Sequence, residues 1–118
     1  MKYMLLIHQG STPLPGTEAW DALSEAERQA VYADYGELNQ TPGVTSGSQM
    51  EPPELATTVR VENGATLTTD GPFVELKDAI GGYLFYEAGD LDAAIELAAK
   101  IPAARMGGAV EIRPFVER

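Results

Sequence analysis

The single histidine of this 118-residue chain, His8, is the first residue whose chemistry stands out. Imidazole titrates near neutrality without perturbation, so it suits general acid–base catalysis. A carboxylate at the end of a neighbouring strand could orient it, and Asp70 ends a segment with strand character. We therefore take His8 and Asp70 as the candidate catalytic pair. The alternatives are a strand-end histidine with one structural hydrogen bond, and an aspartate that bonds its own turn.

Residues 69–78, which read TDGPFVELKD, form an unusually charged connection. Pro72 fixes its own φ angle and is expected to stiffen this loop. Phe73, Glu75 and Lys77 are candidates for ligand contacts. The alternatives are a hydrophobic plug beneath the loop for Phe73, and a plain salt bridge between Glu75 and Lys77.

Arg105 is the candidate for holding an anionic group of a ligand. It follows a predicted helix and precedes Met106-Gly107-Gly108, a stretch with a flexible backbone. A guanidinium group matches the geometry of carboxylate or phosphate. Its alternative role is to cap the end of the preceding helix. The expected ligand is a small polar or anionic molecule.

Composition excludes several classes of function. Cysteine is absent, which rules out disulfides, thiolate metal sites and a cysteine nucleophile. We expect no metal or cofactor, because no metal-ligand cluster or nucleotide-binding motif is present. The formal net charge of -10 argues against nucleic-acid binding. The apolar run Met4–Ile7 is far shorter than the roughly 20 residues that cross a membrane, so we expect a cytoplasmic protein.

Hydrophobic periodicity and breakers predict the elements that must position these residues. Residues 9–19 are expected to form a loop. One helix follows the capping box of Ser24 and Glu27, and a second, ending before Pro102, follows Asp90. The predicted strands are Tyr3–Ile7, Val44–Met50, Thr57–Glu62, Ala65–Thr69, Ile80–Ala88 and Ala109–Val116.

The turn Asn63-Gly64 fixes the register of one hairpin. Both positions of a type I′ turn need positive φ, which Asn and Gly adopt readily. In that register Val61 faces Thr66, and Val59 faces Thr68.

The element order predicts an α+β fold of the ferredoxin-like sandwich type, in which two βαβ halves flank the inserted hairpin. The whole chain, residues 1–118, is expected to be one domain. Both helices would pack on one face of the sheet. Because no helix remains for the other face, we expect a homodimer of the dimeric α/β-barrel type.

The motif Asp70-Gly71-Pro72-Phe73, followed by Glu75 and Lys77, resembles the YCII-related family in its DGPF branch. The opening segment 1–7, the segment 57–60 and the segments 102–105 and 110–114 match as well, so the resemblance spans nearly the whole chain. Leu76 departs from the usual Thr. His8 also departs from the family pattern, because many relatives carry an aromatic or another residue at this position.

The resemblance implies a ferredoxin-like dimer with a cleft, and a His/Asp pair as the catalytic group. It also implies a regulatory context beside extracytoplasmic-function sigma factors. Two functions stay open: a small enzyme or binder that uses His/Asp acid–base chemistry, and a non-catalytic dimerisation or sensory module. Converging polar groups in a pocket would favour the first, and scattered ones the second.

Overall fold

The computed structural model of the protein describes residues 1–72 and 80–117. The strands are β1 (Lys2–His8), β2 (Val44–Ser46), β3 (Thr57–Glu62), β4 (Ala65–Asp70), β5 (Ile80–Glu87) and β6 (Ala109–Pro114). The helices are α1 (Glu18–Asp21), α2 (Glu25–Gln40) and α3 (Leu91–Ala98), with short 3₁₀ turns at Pro53–Leu55 and Pro102–Ala104. Within this part of the chain, no helix has the length and apolar character needed to span a bilayer.

Strand β1 is central in a four-stranded antiparallel sheet of order β2-β5-β1-β6. Leu5, for example, lies between Leu84 of β5 and Ile112 of β6. This mixed α/β arrangement is compatible with the predicted ferredoxin-like fold.

The two longer helices cover one face of this sheet. Tyr3, Leu5 and Ile7 alternate along β1 and are buried, because successive side chains of a strand point to opposite faces. They pack in one core with Leu38 of α2 and with Ala94, Leu97 and Ala98 of α3.

The opposite face of the sheet is not covered by a helix of the described residues. We call it the open face. It carries the alternate residues of the strands, namely Lys2, Met4, Leu6 and His8 of β1, Tyr83 and Phe85 of β5, and Glu111 and Arg113 of β6.

Helix α2 begins as expected, whereas α1 was not predicted. The Ser24 hydroxyl accepts from the Glu27 backbone, and the Glu27 carboxylate accepts from the Ser24 backbone, which confirms the capping box. The assignment of residues 9–19 to a loop was wrong at its end, since α1 starts at Glu18. Thr17 caps this single turn by accepting from the Trp20 backbone. A helix this short has no hydrophobic repeat that could reveal it.

Strands β3 and β4 form a separate two-stranded sheet. Asn63 and Gly64 adopt φ of 51° and 77°, as a type I′ turn requires. Val61 faces Thr66 and Val59 faces Thr68, so the predicted register is confirmed. Almost every residue of this hairpin is exposed.

Two strands are shorter than predicted. Strand β2 ends at Ser46 rather than Met50. The backbone of the next residue, Gly47, approaches Tyr83 so closely that a Cβ atom would lie 2.3 Å from the Tyr83 carbonyl oxygen. The Met50 N–H still donates to the Gly81 carbonyl at 2.8 Å, so the chain follows β5 without a regular ladder. Strand β6 ends at Pro114 rather than Val116, where the ring removes a backbone donor.

Candidate functional site

His8 ends the central strand and reaches a carboxylate on the neighbouring strand. Its Nε2 lies 3.1 Å from Oε1 of Glu111, and its side chain is 20% exposed. The pairing of β1 with β5 shifts by one residue between Ile7 and His8. Irregularities of this kind re-aim side chains at strand ends and are common beside functional sites.

Glu111 is held from two sides. The guanidinium Nε of Arg113 donates to one carboxylate oxygen, and the imidazole of His8 contacts the other. Hydrogen bonding by Arg113, and then by His8, holds the pKa of the Glu111 carboxyl below its usual value. Glu111 is therefore an anion at neutral pH and accepts hydrogen bonds from both neighbours.

A carboxylate in this position fixes the tautomer of a neutral imidazole. When Nε2 carries the proton and donates it to Glu111, the lone pair resides on Nδ1. The Glu111 carboxylate is therefore placed to orient the His8 ring through Nε2. A histidine held in this way by a carboxylate is a common arrangement for an acid–base group.

The open face also carries aromatic side chains. The rings of Tyr83 and Phe85 meet edge to face at 5.9 Å, and the Phe115 ring lies 5.9 Å from that of Phe85. The ammonium of Lys2 lies 5.6 Å from the Phe85 ring centroid. The open face thus combines a charged cluster with a half-buried apolar surface.

The predicted site residues occupy different parts of the fold. Asp70 ends β4 in the separate hairpin sheet, and its side chain is exposed. Arg105 binds Asp34 of α2, which covers the face opposite His8. The ligand-contact candidates of the charged connection, Phe73, Glu75 and Lys77, lie outside the described residues. The pairing of His8 with Asp70 stays a prediction.

Glu111 was not among the predicted site residues. It is 103 positions from His8 in the sequence, and no local spacing links the two. The available signal was weaker: Glu111 and Arg113 alternate with apolar residues, which places both on one face of a strand. That pattern predicts which face of the sheet carries Glu111 and Arg113, but it does not predict that their strand lies beside β1.

A cavity of about 320 Å³ lies on the covered side of the sheet. Ile7 and Gln9 line it, while His8 between them faces the other way. Its aromatic lining residues, which are Trp20, Tyr32 and Tyr35, were not among the site residues predicted from the sequence.

Comparisons with known proteins agree with the sequence resemblance at the level of the family. The profile of the YCII-related domain family matches residues 1–117. An uncharacterized protein of Rhizobium meliloti (strain 1021) is 32% identical over 105 residues, which cover 84% of this chain and 82% of that protein. A match over nearly the entire sequence identifies the family, and the chain belongs to the YCII-related domain family.

Proposed function

We propose that this chain binds a small polar or anionic molecule on the open face and transfers a proton to or from it. His8 is the acid–base group, and Glu111 orients it. The observation that carries the proposal is the 3.1 Å contact between His8 Nε2 and Glu111 Oε1. In this function Glu111 takes the orienting role first assigned to Asp70.

Arg113 supports this function by keeping Glu111 ionised. The Arg113 guanidinium binds the carboxylate oxygen that does not face His8. A charged carboxylate stabilises an imidazolium, whereas a protonated one would not. Because the pKa of Glu111 is lowered, its carboxyl stays ionised down to a lower pH. Glu111 can therefore support proton transfer by His8 over a wider pH range.

A second copy of the chain is the proposed cover of the open face. Val59, Val61 and Leu67 of the hairpin would otherwise stay in water, and Tyr83 and Phe85 of the open face would stay only partly buried. In such a homodimer, Asp70, Phe73, Glu75 and Lys77 are the proposed further contacts for ligand. Arg105 is not among them, because it binds Asp34 of α2, which covers the opposite face. The motif that contains Asp70 supports placing the chain in the DGPF branch. A cytoplasmic location is proposed separately, because the apolar run Met4–Ile7 is too short to cross a membrane.

The contact is tested first, by nitrogen NMR of the imidazole. His8 is the single histidine, so its ring signals need no assignment by mutation. We expect one dominant tautomer, with the proton on Nε2, and loss of this dominance in Glu111→Leu, which has no acceptor oxygen. Glu96→Leu, which makes the same change on an exposed position of α3, is the control and should leave the tautomer unchanged. A tautomer ratio that is the same in Glu111→Leu and the parent would refute the orienting role.

Ligand binding is tested by thermal shift against small carboxylic acids and phosphate monoesters. A ligand at 100 times its Kd adds about 2.7 kcal/mol of stability. We expect compounds that stabilise the parent and Glu96→Gln to lose this effect in His8→Gln. Equal stabilisation of His8→Gln would remove His8 from the site.

Turnover separates the two open functions. Compounds that bind are incubated with the protein and followed by proton NMR for exchange or conversion. Conversion that depends on His8 supports the enzyme. Binding without conversion would favour the non-catalytic sensory module in a regulatory, sigma-factor-associated setting.

A further inference from the structure

The cavity on the covered side of the sheet is distinct from the proposed proton-transfer site. It lies where the 9–16 loop, helix α2 and the start of β5 meet, and its volume is about 320 Å³. Because side chains alternate along a strand, Ile7 and Gln9 face this cavity while His8 faces Glu111. A ligand in the cavity would therefore not contact the His8 ring directly.

The walls of the cavity are aromatic and apolar. Trp20 is only 6% exposed, and its ring meets that of Tyr32 edge to face at 5.5 Å. Tyr35, Val31 and Leu14 complete the apolar lining. Ligand sites in proteins are typically lined in this way, with a few polar groups that fix orientation.

The polar groups at this cavity are neutral. Its described lining holds no acidic or basic side chain, although the chain carries a net charge of -10. Gln9, Asn39 and Gln49 offer amides, and Thr12 has a buried hydroxyl without a hydrogen-bond partner among the described residues. Burial raises the pKa of Tyr35, so its hydroxyl stays protonated and can donate. A neutral ligand with a hydrogen-bonding group matches this lining.

Two glycines of β5 help to keep the cavity open. Gly81 and Gly82 both line it, and Gly82 is buried. A Cβ atom on Gly82 would lie 3.6 Å from Ile7 Cδ1, which is an ordinary contact. Glycine in the interior of a strand lowers the stability of that strand. Gly82 has room for a side chain but carries none, so it leaves space in the cavity at some cost in stability.

The volume sets the size of the ligand. An apolar cavity of about 150 Å³ is enough to bind benzene in a known engineered case. The cavity here is about twice as large. It therefore has room for a substituted ring or two fused rings.

We propose that this cavity is a binding site for an uncharged aromatic molecule with one hydroxyl or amide group. The ring stacks among Trp20, Tyr32 and Tyr35, and the polar group meets the neutral donors and acceptors of the lining. This site is independent of the proposed proton transfer at His8.

The experiment uses benzyl alcohol as the probe and Trp20 as the reporter. Trp20 is the single tryptophan, so its emission reports on the cavity alone. We expect a saturable change in emission with benzyl alcohol and a much weaker one with benzoate. The described lining holds no basic group, and the charge of Arg105, which acts on Tyr35 from nearby, is offset by Asp34. A linear response, or equal binding of benzoate, would overturn the proposal.

A cavity-filling variant locates the binding. Gly82→Val is expected to reduce benzyl alcohol affinity by about tenfold or more, since pockets reject added methylenes to this extent. Gly36→Ala, on the exposed side of α2, is the control and should bind as the parent does. Unchanged affinity in Gly82→Val would place the probe elsewhere and refute the site.

A direct measurement keeps the test valid if Gly82→Val does not fold. Nuclear Overhauser contacts between benzyl alcohol ring protons and the rings of Trp20 and Tyr35 are expected in the parent protein. Contacts only with open-face residues such as Phe85 would refute this site. The His8→Gln variant should bind benzyl alcohol normally, which separates failure here from failure of the proposed function.

Discussion

Glu111 is the residue on which the proposed chemistry depends, and its environment has a consequence for pH. Arg113 and His8 hold the pKa of its carboxyl below the usual value. A carboxyl whose pKa is lowered in the folded state stabilises the fold above its unfolded pKa. That contribution is lost as the pH falls through the lowered pKa.

We expect the Glu111→Gln variant to depend less on pH in the acidic range than the parent does. The reason is that glutamine has no carboxylate to take up a proton as the pH falls, so this contribution to the pH dependence of unfolding is absent. Urea unfolding at a series of acidic pH values measures this, with Glu96→Gln as the variant that should keep the parent's profile. Parallel profiles for the parent and Glu111→Gln would contradict the assignment.

Gly36 offers a second prediction at this scale. It lies on an exposed position of α2, and a Cβ atom there would meet nothing within 4 Å. Alanine restricts the unfolded chain more than glycine and suits a helix better. We expect Gly36→Ala to raise the free energy of unfolding by about 0.5–1 kcal/mol, as measured in urea. A lower free energy of unfolding in Gly36→Ala would contradict the prediction, because it would mean that another group packs against the helix surface at Gly36.

The sequence allowed some of these residues to be predicted but not their partners. His8 could be chosen because it is the only histidine and follows an apolar strand. Glu111 could not, because its proximity to His8 depends on which strands are adjacent, and that is decided by packing across the sheet. Arg105 was chosen for its charge, yet its contact with Asp34 depends on how α2 lies on the sheet.

At the scale of elements, the β3–β4 hairpin was predictable to the residue because its register depends on a local turn. Asn63-Gly64 fixes which residues oppose each other before any tertiary contact forms. Strand β2 was overestimated because its length depends on how far it pairs with β5, and that pairing ends at Ser46. Pairing between distant strands is a tertiary contact which the local sequence does not encode.

The hairpin should therefore respond to its turn independently of the main sheet. Gly64 has a positive φ of 77°, which costs a residue with a Cβ atom about 1 kcal/mol or more. We expect Gly64→Ala to speed hydrogen exchange in β3 and β4 while β1 and β5 keep their protection. Gly89→Ala, at a position without positive φ or close neighbours, is the matched control. Uniform loss of protection in Gly64→Ala would show that the two sheets unfold together.

At the scale of the whole molecule, the chain is more extended than its length suggests. Its radius of gyration is 16.4 Å, against about 13.5 Å from the usual size scaling. The hairpin contributes to this, with Val59 and Val61 at 59% and 67% exposure. Two-stranded hairpins are marginally stable alone in water, so this one is expected to pack against another surface.

We expect a homodimer in sedimentation analysis at micromolar concentration. Val61→Thr keeps strand propensity but removes apolar surface, so it should shift the equilibrium toward monomer. Ile95→Gln, which removes exposed apolar surface from α3 instead, should leave the dimer intact. A parent protein that sediments as a monomer would exclude this explanation of the hairpin.

The central position of β1 has a consequence for how the chain is made. This strand leaves the ribosome before the other strands described here, yet both of its neighbours lie within residues 80–114. Its apolar residues Tyr3, Leu5 and Ile7 therefore have no strand partner until most of the chain has been synthesised. The main sheet cannot assemble in the order of translation, and the nascent chain exposes these side chains to chaperones until β5 and β6 emerge.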